Sequence, residues 1–405
     1  MATGNYSHHD LAIDPLIQLY YQNFHPSHPF LLPRKALLSL LNTHVPPYLL
    51  AIIRYVGAHH QHDSGLHPIL PEAADTALHA CSLATGFTVQ GMLLLAITEH
   101  AHGYETRAHE TLQRAIALAL QLGMDRPEFA LKNSFGSATM AESWRRTYWE
   151  LYVVEGLLAA VSKNNRTCSN LYTRGVGLNF PCNETIYSAG TTAEAYEISS
   201  FAHRIEAIRS LDRVFEISRA NQYNYDEVQA IDTHLTSSLL RLPVPREDLD
   251  EMVVQAQMVI YLAMIHLYQP LSSIRLVSNT QNGRSEPSLP HKDTTLFSES
   301  KAETTRPEMY AVKLNRAADM LAQLATLPSP IRRRTPFLID ALATSTTVHT
   351  AVAVVVAGSH KEEQVKARIQ LEIGALNALG EVWPVARMVN KHLLEMYQEM
   401  RRKRN

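Results

Sequence analysis

The stretch ESWRRTYWELYVVEG, residues 142–156, reads as an unbroken helix in which two adjacent arginines stand among two tryptophans and two tyrosines. Trp149, Tyr152 and Val153 recur at the three- and four-residue spacing of one helix face. A face with two aromatic rings needs an apolar core to cover it. The sequence therefore predicts that this helix is packed into the core and that Trp149 is mostly buried.

The two arginines are predicted to support this helix rather than to bind a phosphate or a substrate. Glu142 and Glu150 each lie four residues from Arg146, so two carboxylates flank its guanidinium along one stripe. Arg145 lies four residues before Trp149, a spacing that lets its methylene stem or guanidinium rest on the indole. Each arginine thus finds a partner within its own helix.

The helical periodicity continues in both directions from this stretch. Apolar residues recur at three and four positions almost everywhere, and alternating strand-like stretches are nearly absent. Asp14 and Pro15 predict the cap and first turn of an opening helix, whereas the prolines of residues 25–33 predict an extended segment. Gly103 and Gly123 stand at plausible helix ends. The sequence predicts an all-α fold of antiparallel packed helices.

The charge balance argues against a general affinity for nucleic acid. The chain has 37 lysines and arginines against 39 aspartates and glutamates, a formal net charge of -2, so no overall basic field attracts DNA. Cys81, Cys168 and Cys182 are its three cysteines, and their wide separation suits a reducing compartment without disulfides. The first residues contain no apolar run of signal-peptide length. We expect an intracellular protein.

The size and hydrophobic content are sufficient for a large core. With 405 residues and 46% hydrophobic content, residues 1–405 are predicted to form one helical domain. The most apolar runs, VVQAQMVIYLAMIHLY and VHTAVAVVVAG, are too short or too interrupted to cross a bilayer. They are predicted to be buried helices, and no membrane partner is expected.

Two segments depart from this pattern. Residues 278–305 are rich in Ser, Thr, Asn, Gly, Pro and charge, and their few apolar groups predict a disordered loop. Residues 400–405 form a basic tail. Its candidates for nuclear import are Arg401, Arg402, Lys403 and Arg404.

Motifs of known catalytic or metal chemistry are missing from the sequence. No Gly-x-x-x-x-Gly-Lys loop, Gly-x-Ser-x-Gly elbow or His-Glu-x-x-His pair occurs. The acidic run REDLDEMV could hold magnesium, but acids in the first turn of a helix also favour its positive dipole end. The capping interpretation is sufficient for that run, which contains Glu247, Asp248, Asp250 and Glu251. We expect no catalytic, cofactor-binding or metal-binding residues.

The histidines of the chain also form groups that could be considered for metal binding. The densest group consists of His59, His60, His62 and His67. Zinc needs three or four converging ligands, and adjacent residues of a helix point apart. The group therefore reads as a solvated helix end and loop. The same interpretation applies to His100, His102 and His109, where no cysteine is near in sequence.

Several stretches together resemble the regulatory middle region of fungal binuclear-zinc-cluster transcription factors. In that family a Q-a-l-l-l helix, an A…A…lGlhr helix and an Arg-Arg-x-x-Trp helix follow in order. TVQGMLLLAITEHAHG, AHETLQRAIALALQLGMDRPE and ESWRRTYWELYVVEG match this series. Further similar segments are LIQLYYQNFHPSHPFL, FPCNE, IHLYQPLS, RAADMLAQL and ALNALGEVWPVA. The resemblance thus covers nearly the whole chain.

The resemblance implies control of transcription in the nucleus rather than catalysis. It marks Arg145, Arg146, Trp149 and Glu155 as a candidate regulatory or structural motif. Glu155 and Gly156 stand where the family usually carries Asp-Arg. The family also implies pairing with related factors as a homo- or heterodimer, and a small-molecule effector as a further partner.

The family reads DNA through a separate module, in which six closely spaced cysteines hold two zinc ions. The three scattered cysteines of this chain do not supply that module. The sequence therefore predicts a regulatory body without its reader, with zinc and DNA contact belonging only to the missing module. Two alternatives remain: a free-standing modulator that pairs with related factors, and an α-helical enzyme or small-molecule carrier that uses a central cavity.

Overall fold

A computed structural model of the chain describes residues 13–40, 43–61, 84–161, 170–190, 198–220, 223–243, 249–274, 276 and 306–404. These residues form sixteen α-helices and no strand, so the all-α prediction is confirmed for them. The helices are α1 (Pro15–Leu19), α2 (Arg34–Leu40), α3 (Pro47–Ala58), α4 (Gly86–Ala101), α5 (Glu105–Leu122), α6 (Pro127–Lys132), α7 (Ala138–Val161), α8 (Leu171–Arg174), α9 (Glu184–Ala189), α10 (Ser200–Ala220), α11 (Tyr225–Arg241), α12 (Glu251–Tyr268), α13 (Arg306–Gln323), α14 (Leu338–Val355), α15 (Glu362–Leu379) and α16 (Pro384–Arg404).

Two long buried helices organise the packing of the others. Helix α7 contacts α4, α5, α6, α9 and α10, and α12 contacts α10, α11, α13 and α14. Helix α14 packs between α13, α15 and α16, and α16 returns to α4. The buried apolar side chains form one continuous cluster from Ile17 in α1 to Met396 in α16.

The predicted helix ends are present. The Asp14 carboxylate accepts hydrogen bonds from the backbone N–H groups of Leu16 and Ile17, which caps α1. Gly123 ends α5 at a φ of 75°, and Gly103 follows α4 at a φ of 83°. This left-handed region strongly favours glycine because it carries no Cβ.

The segment of residues 25–33 is not extended, so that prediction is wrong. Helix α1 continues as a π-helical stretch, Tyr20–Phe24, and turns follow it. The N–H of Ser27 bonds to the carbonyl of Phe24 at 3.0 Å, and further turns continue to residue 30. Proline fixes φ near −65°, a value that suits a turn as well as an extended chain. The turns direct the backbone carbonyls of Ser27 and Pro29 towards the buried side chains of Arg204 and Arg146, respectively.

Helices α12 and α14 are longer than their apolar runs suggested. Helix α12 with the 3-10 turn that follows it, Glu251–Leu271, has 21 residues, and α14, Leu338–Val355, has 18. Both are long and apolar enough to span a membrane, so the argument from length was wrong. Their apolar windows are 83% and 61% buried inside the protein. Both therefore serve as buried helices, as the sequence predicted.

Residues 178–183 are irregular and lie between a 3-10 turn, Gly175–Gly177, and helix α9. Asp250 caps α12, because its carboxylate accepts the N–H of Met252 at 2.9 Å. Other residues that drew predictions lie outside the described residues. These are Cys81, Cys168, His62, His67, Glu247, Asp248 and the segment 278–305.

Candidate functional site

Arg146 lies at the centre of a buried polar site. Its Nη1 donates to the Pro29 carbonyl at 3.0 Å and to the Glu184 carboxylate at 2.5 Å. Its Nη2 donates to the Cys182 carbonyl at 2.8 Å, and its Nε to Glu142 at 3.2 Å. One guanidinium therefore holds the turn before α2, the loop before α9 and α9 itself against α7.

The site keeps Arg146 charged and enclosed. The guanidinium carbon lies 3.9 Å from the centre of the Tyr187 ring, and the side chain is only 1% exposed. Burial lowers the pKa of Arg146, but Glu184 and the neighbouring groups outweigh burial and raise it above its usual value. A cation so enclosed is bound to the protein and is not presented to a soluble phosphate.

Glu150 pairs with a different arginine from the one predicted. Its carboxylate bonds to His28 Nδ1 at 2.7 Å and to the guanidinium of Arg204 on α10. Arg204 also donates to Gln255 on α12 at 2.9 Å. The predicted contact between Glu150 and Arg146 is therefore wrong, because both carboxylate oxygens of Glu150 are directed to residues outside α7. Of the two carboxylates predicted to flank Arg146 on its own helix, only Glu142 contacts it.

The pKa values of this second group follow from burial and charge. Burial raises the pKa of Glu150, but Arg204 and His28 outweigh burial and hold it below its usual value. Burial lowers the pKa of His28, so its ring is neutral near pH 7. His28 Nδ1 then donates to Glu150, and Nε2 accepts from the Thr335 hydroxyl at 3.1 Å. The ion pair therefore carries no uncompensated charge.

Trp149 is 1% exposed, which confirms its predicted burial. Its Nε1 donates to the Asn179 carbonyl at 3.1 Å, and Phe180 and Tyr172 pack on the ring at 5.2 and 5.9 Å between centroids. Arg145 pairs with the Glu142 carboxylate. Stacking of Arg145 on the Trp149 indole stays a prediction.

Glu155 is buried at the far end of the same helix, where it accepts a hydrogen bond from Gln113 Nε2 on α5 at 3.2 Å. It therefore links α7 to α5. The four residues of the candidate motif do not converge on one surface point.

A small cavity of about 200 Å³ lies beside α7, on the side that carries Arg145. Its walls are mostly apolar, and the Arg145 side chain, 26% exposed, stands among them. A second cavity of about 370 Å³ lies near the ends of α10 and α12. The cavity of about 200 Å³ is lined by Met124, Pro127, Phe129, Ala130, Leu131, Ala141, Trp144, Arg145, Gly177, Leu178 and Asn179.

A third polar group lies in the C-terminal half. His349 on α14 is buried, and its Nδ1 is 3.0 Å from both carboxylate oxygens of Glu372 on α15. Its Nε2 is 3.3 Å from Asp319 on α13, an ion-pair distance at which the N–H lacks hydrogen-bond direction. We therefore regard Glu372 as the stronger partner. Burial lowers the pKa of His349, but the carboxylates of Asp319 and Glu372 outweigh burial and raise it to about 9.

The two basic clusters of the sequence, residues 332–334 and 401–404, differ in their surroundings. Arg334 is buried and bonds to Glu251 at 2.7 Å, and Arg332 pairs with Glu381. Two of the three arginines of the first cluster, residues 332–334, are therefore paired with carboxylates, and Arg333 is exposed. The second lies on α16, which extends to Arg404, and the Arg402 side chain is exposed.

For His59 and His100 the prediction of a solvated helix end is wrong. His59 is 4% exposed and His100 is 2% exposed. Within the described residues, no group of three or more His, Cys, Asp or Glu side chains is placed to hold a metal ion.

Sequence reasoning missed the members of the buried network outside α7. Arg204 and Gln255 each stand in an apolar helix face, in AHRIEAI and VVQAQMV. A polar residue in such a face is the signal that could have identified them, because buried polar groups need partners. His28 carried no comparable signal, because it lies in a turn.

Comparisons with known proteins also cover the region of α7 and its buried network. A family model described as a fungal specific transcription factor domain matches residues 17–240. The chain is 28% identical over 409 aligned residues to the C6 finger domain transcription factor iacK of Pestalotiopsis fici. The alignment covers 95% of this chain and 59% of that relative, so the chain spans about 59% of the length of the curated relative it matches. No solved structure matches the chain.

Proposed function

The chain belongs to the family of fungal specific transcription factor domains, and from this we propose that it is the regulatory body of a zinc-cluster-type factor. The family and the C6 relative support a role in transcription regulation. Our proposal adds that this body acts in the nucleus and that DNA is read by a zinc-cluster module outside these residues.

The buried network of α7 is the observation that carries the proposal. Arg146, Glu150 and Arg204 lie within the matched residues 17–240, and each pairs with other groups of the protein. Catalytic acids and bases need contact with a substrate. The buried charges at the centre of this fold instead join helices to one another. This suits a rigid body in which binding at one surface affects another surface.

Tethering tests this proposal directly. The chain is fused to an unrelated DNA-binding domain and expressed with a reporter gene in a fungal nucleus. We expect reporter output to differ severalfold from that of the DNA-binding domain alone. Unchanged output from a chain that is folded and nuclear would contradict a regulatory role.

DNA reading is tested separately with the purified chain. We expect weak binding without sequence preference. The logarithm of the binding constant should fall linearly with the logarithm of the salt concentration, and each neutralised phosphate steepens this slope by roughly 0.9. A DNA duplex of defined candidate sequence and a duplex with the same bases in scrambled order are each titrated with the purified chain at physiological salt. A preference of about a hundredfold for one duplex would place a reader within this chain.

Nuclear entry is proposed to depend on the basic end of α16. A fluorescent fusion in which Arg401, Arg402, Lys403 and Arg404 are replaced by alanine should accumulate in the cytoplasm. Replacement of Arg332 and Arg333 is the matched control, and it should leave the fusion nuclear. Equal distribution of all three fusions would contradict this role for the tail.

The cavity of about 200 Å³ beside Trp144 and Arg145 favours a second proposal, a small-molecule effector. Its volume and apolar walls suit a compact apolar molecule. Filling it through Ala141→Leu should abolish a ligand-dependent change in reporter output while the melting temperature stays similar. A retained ligand response would exclude this cavity as the effector site.

A further inference from the structure

The cavity of about 200 Å³ beside α7 combines an apolar wall with one cationic side chain. Trp144 lines it, and this ring is fixed in place. Its Nε1 donates to the Asn133 carbonyl at 2.9 Å, and the Phe129 ring meets it edge to face with centroids 6.0 Å apart. Because the indole N–H is already bonded, Arg145 and Asn179 supply the polar side-chain groups of the lining that remain for a ligand.

Arg145 keeps part of its hydrogen-bonding capacity for such a ligand. Its Nη1 pairs with Glu142, three residues earlier on α7. A guanidinium has several N–H donors in a rigid fork, and in the part of the chain that the structure describes Glu142 is the partner of this one nitrogen only. The side chain is 26% exposed and lines the cavity. Its other donors are therefore accessible to a molecule that enters from solvent.

The charges around Arg145 favour an anion of single charge. Arg145 and Arg146 share the Glu142 carboxylate, which is only 6% exposed. The second carboxylate at Arg146 is Glu184, which is 51% exposed, so water screens it. Two guanidinium groups thus meet one enclosed carboxylate. This leaves positive charge on the side of α7 that carries Arg145.

Apolar side chains exposed to solvent lie next to the cavity. Leu131 of α6 lines it and is 72% exposed. Val176 and Phe180 flank the lining residues 177–179 and are 72% and 38% exposed. Exposed apolar groups that cluster in this way mark binding sites. An acid in the turn before α6, Asp125, is paired with Arg174 at 3.9 Å and so does not cancel the charge of Arg145.

We propose that this cavity binds a small carboxylic acid, with the apolar body of the acid against Trp144 and its carboxylate on Arg145. Guanidinium and carboxylate match because parallel N–H groups meet the two oxygens. An apolar cavity of about 150 Å³ holds benzene, so this one accommodates a single ring with a short chain. The inference rests on the proposed effector cavity and adds the charge of its ligand. Arg145, expected from the sequence to support its helix, then also binds.

The test compares two compounds that share a ring and a chain and differ in charge. The probes are 3-phenylpropanoate and 3-phenylpropan-1-ol, each titrated calorimetrically into the full chain. We expect the acid to bind at least about tenfold more tightly than the alcohol, because a hydrogen bond to a charged group is roughly twice as strong as a neutral one. Ala141→Leu should prevent binding of both compounds, since it fills the cavity.

Substitutions of Arg145 separate its charge from its packing. Arg145→Gln should abolish the preference for the acid and leave the affinity for the alcohol nearly unchanged, whereas Arg145→Lys should keep part of the preference. Arg209→Gln is the matched control, because Arg209 is also a helical arginine paired with a glutamate three residues earlier. It should bind both compounds like the wild type. The melting temperature of each variant shows that it is folded.

The outcomes distinguish this inference from the effector role of the cavity. Equal affinity for the acid and the alcohol, or a preference that persists in Arg145→Gln, would overturn the assignment of an acid and leave an apolar effector in place. Binding of neither compound would overturn both proposals. Binding of the acid that depends on Arg145 but leaves reporter output unchanged would support this inference and exclude the effector role.

Discussion

Arg204 on α10 and Glu150 on α7 lie 54 residues apart and form an ion pair in which both side chains are 0% exposed. Removing one member of such a pair leaves the other charge buried without compensation. We expect Arg204→Met to lower the free energy of unfolding by about 3–5 kcal/mol, measured by urea denaturation. Arg209→Met is the control, because that side chain is 52% exposed and should change stability by less than about 0.5 kcal/mol. Equal effects of the two substitutions would contradict this account.

Trp149→Ala should also destabilise the protein strongly. The substitution removes a fully buried ring and leaves the Asn179 carbonyl without its donor. Large buried aromatic residues cost roughly 3–5 kcal/mol when replaced by alanine. Thermal melts of this variant are compared with those of Val176→Ala, whose side chain is 72% exposed. A melting temperature unchanged from the wild type would show that the indole does not support the core.

Stability should fall between neutral and alkaline pH because of His349. Its pKa is raised to about 9 in the folded protein, compared with about 6.5 for an unperturbed histidine. The charged ring stabilises the fold fully below about pH 6.5, and this contribution is lost as the pH rises through about 9. The loss amounts to about 2–3 kcal/mol, because Asp319, one of its two partners, is 31% exposed.

The measurement is the free energy of unfolding as a function of pH for the wild type and for His349→Gln. The difference between the two should shrink from neutral pH to about pH 10, since other titrating groups contribute equally to both. His360→Gln, at an exposed position, should follow the wild type throughout. A difference that does not depend on pH would contradict a charged His349.

Replacing residues 278–305 with a short Gly/Ser linker should leave the melting temperature nearly unchanged. The composition of this segment cannot offset the entropy lost on ordering it. The linker joins residue 277 to the start of α13 at Arg306. A drop of many degrees would show that the segment packs on the helices.

Local features of the fold could be predicted from the sequence, whereas the pairing of distant residues could not. Helix periodicity and the Asp14 cap depend on neighbours within four residues, and both are found. The partner of Glu150 depends on which helix packs against α7, and spacing within α7 wrongly favoured Arg146. The same limit explains the error at residue 59, since only tertiary packing brings His59 to His102.

The turn at residues 25–30 connects the family-matched region to a helix beyond it. The Ser27 carbonyl accepts hydrogen bonds from Arg204, within residues 17–240, and from Gln255, outside them. Helix α10 packs its apolar face on α12, which begins at Glu251. A polypeptide cut at residue 240 would therefore expose that face and lose one anchor of Arg204. The boundary of the family match is thus not the boundary of an autonomously folding unit, and expression of residues 17–240 alone is expected to give insoluble protein.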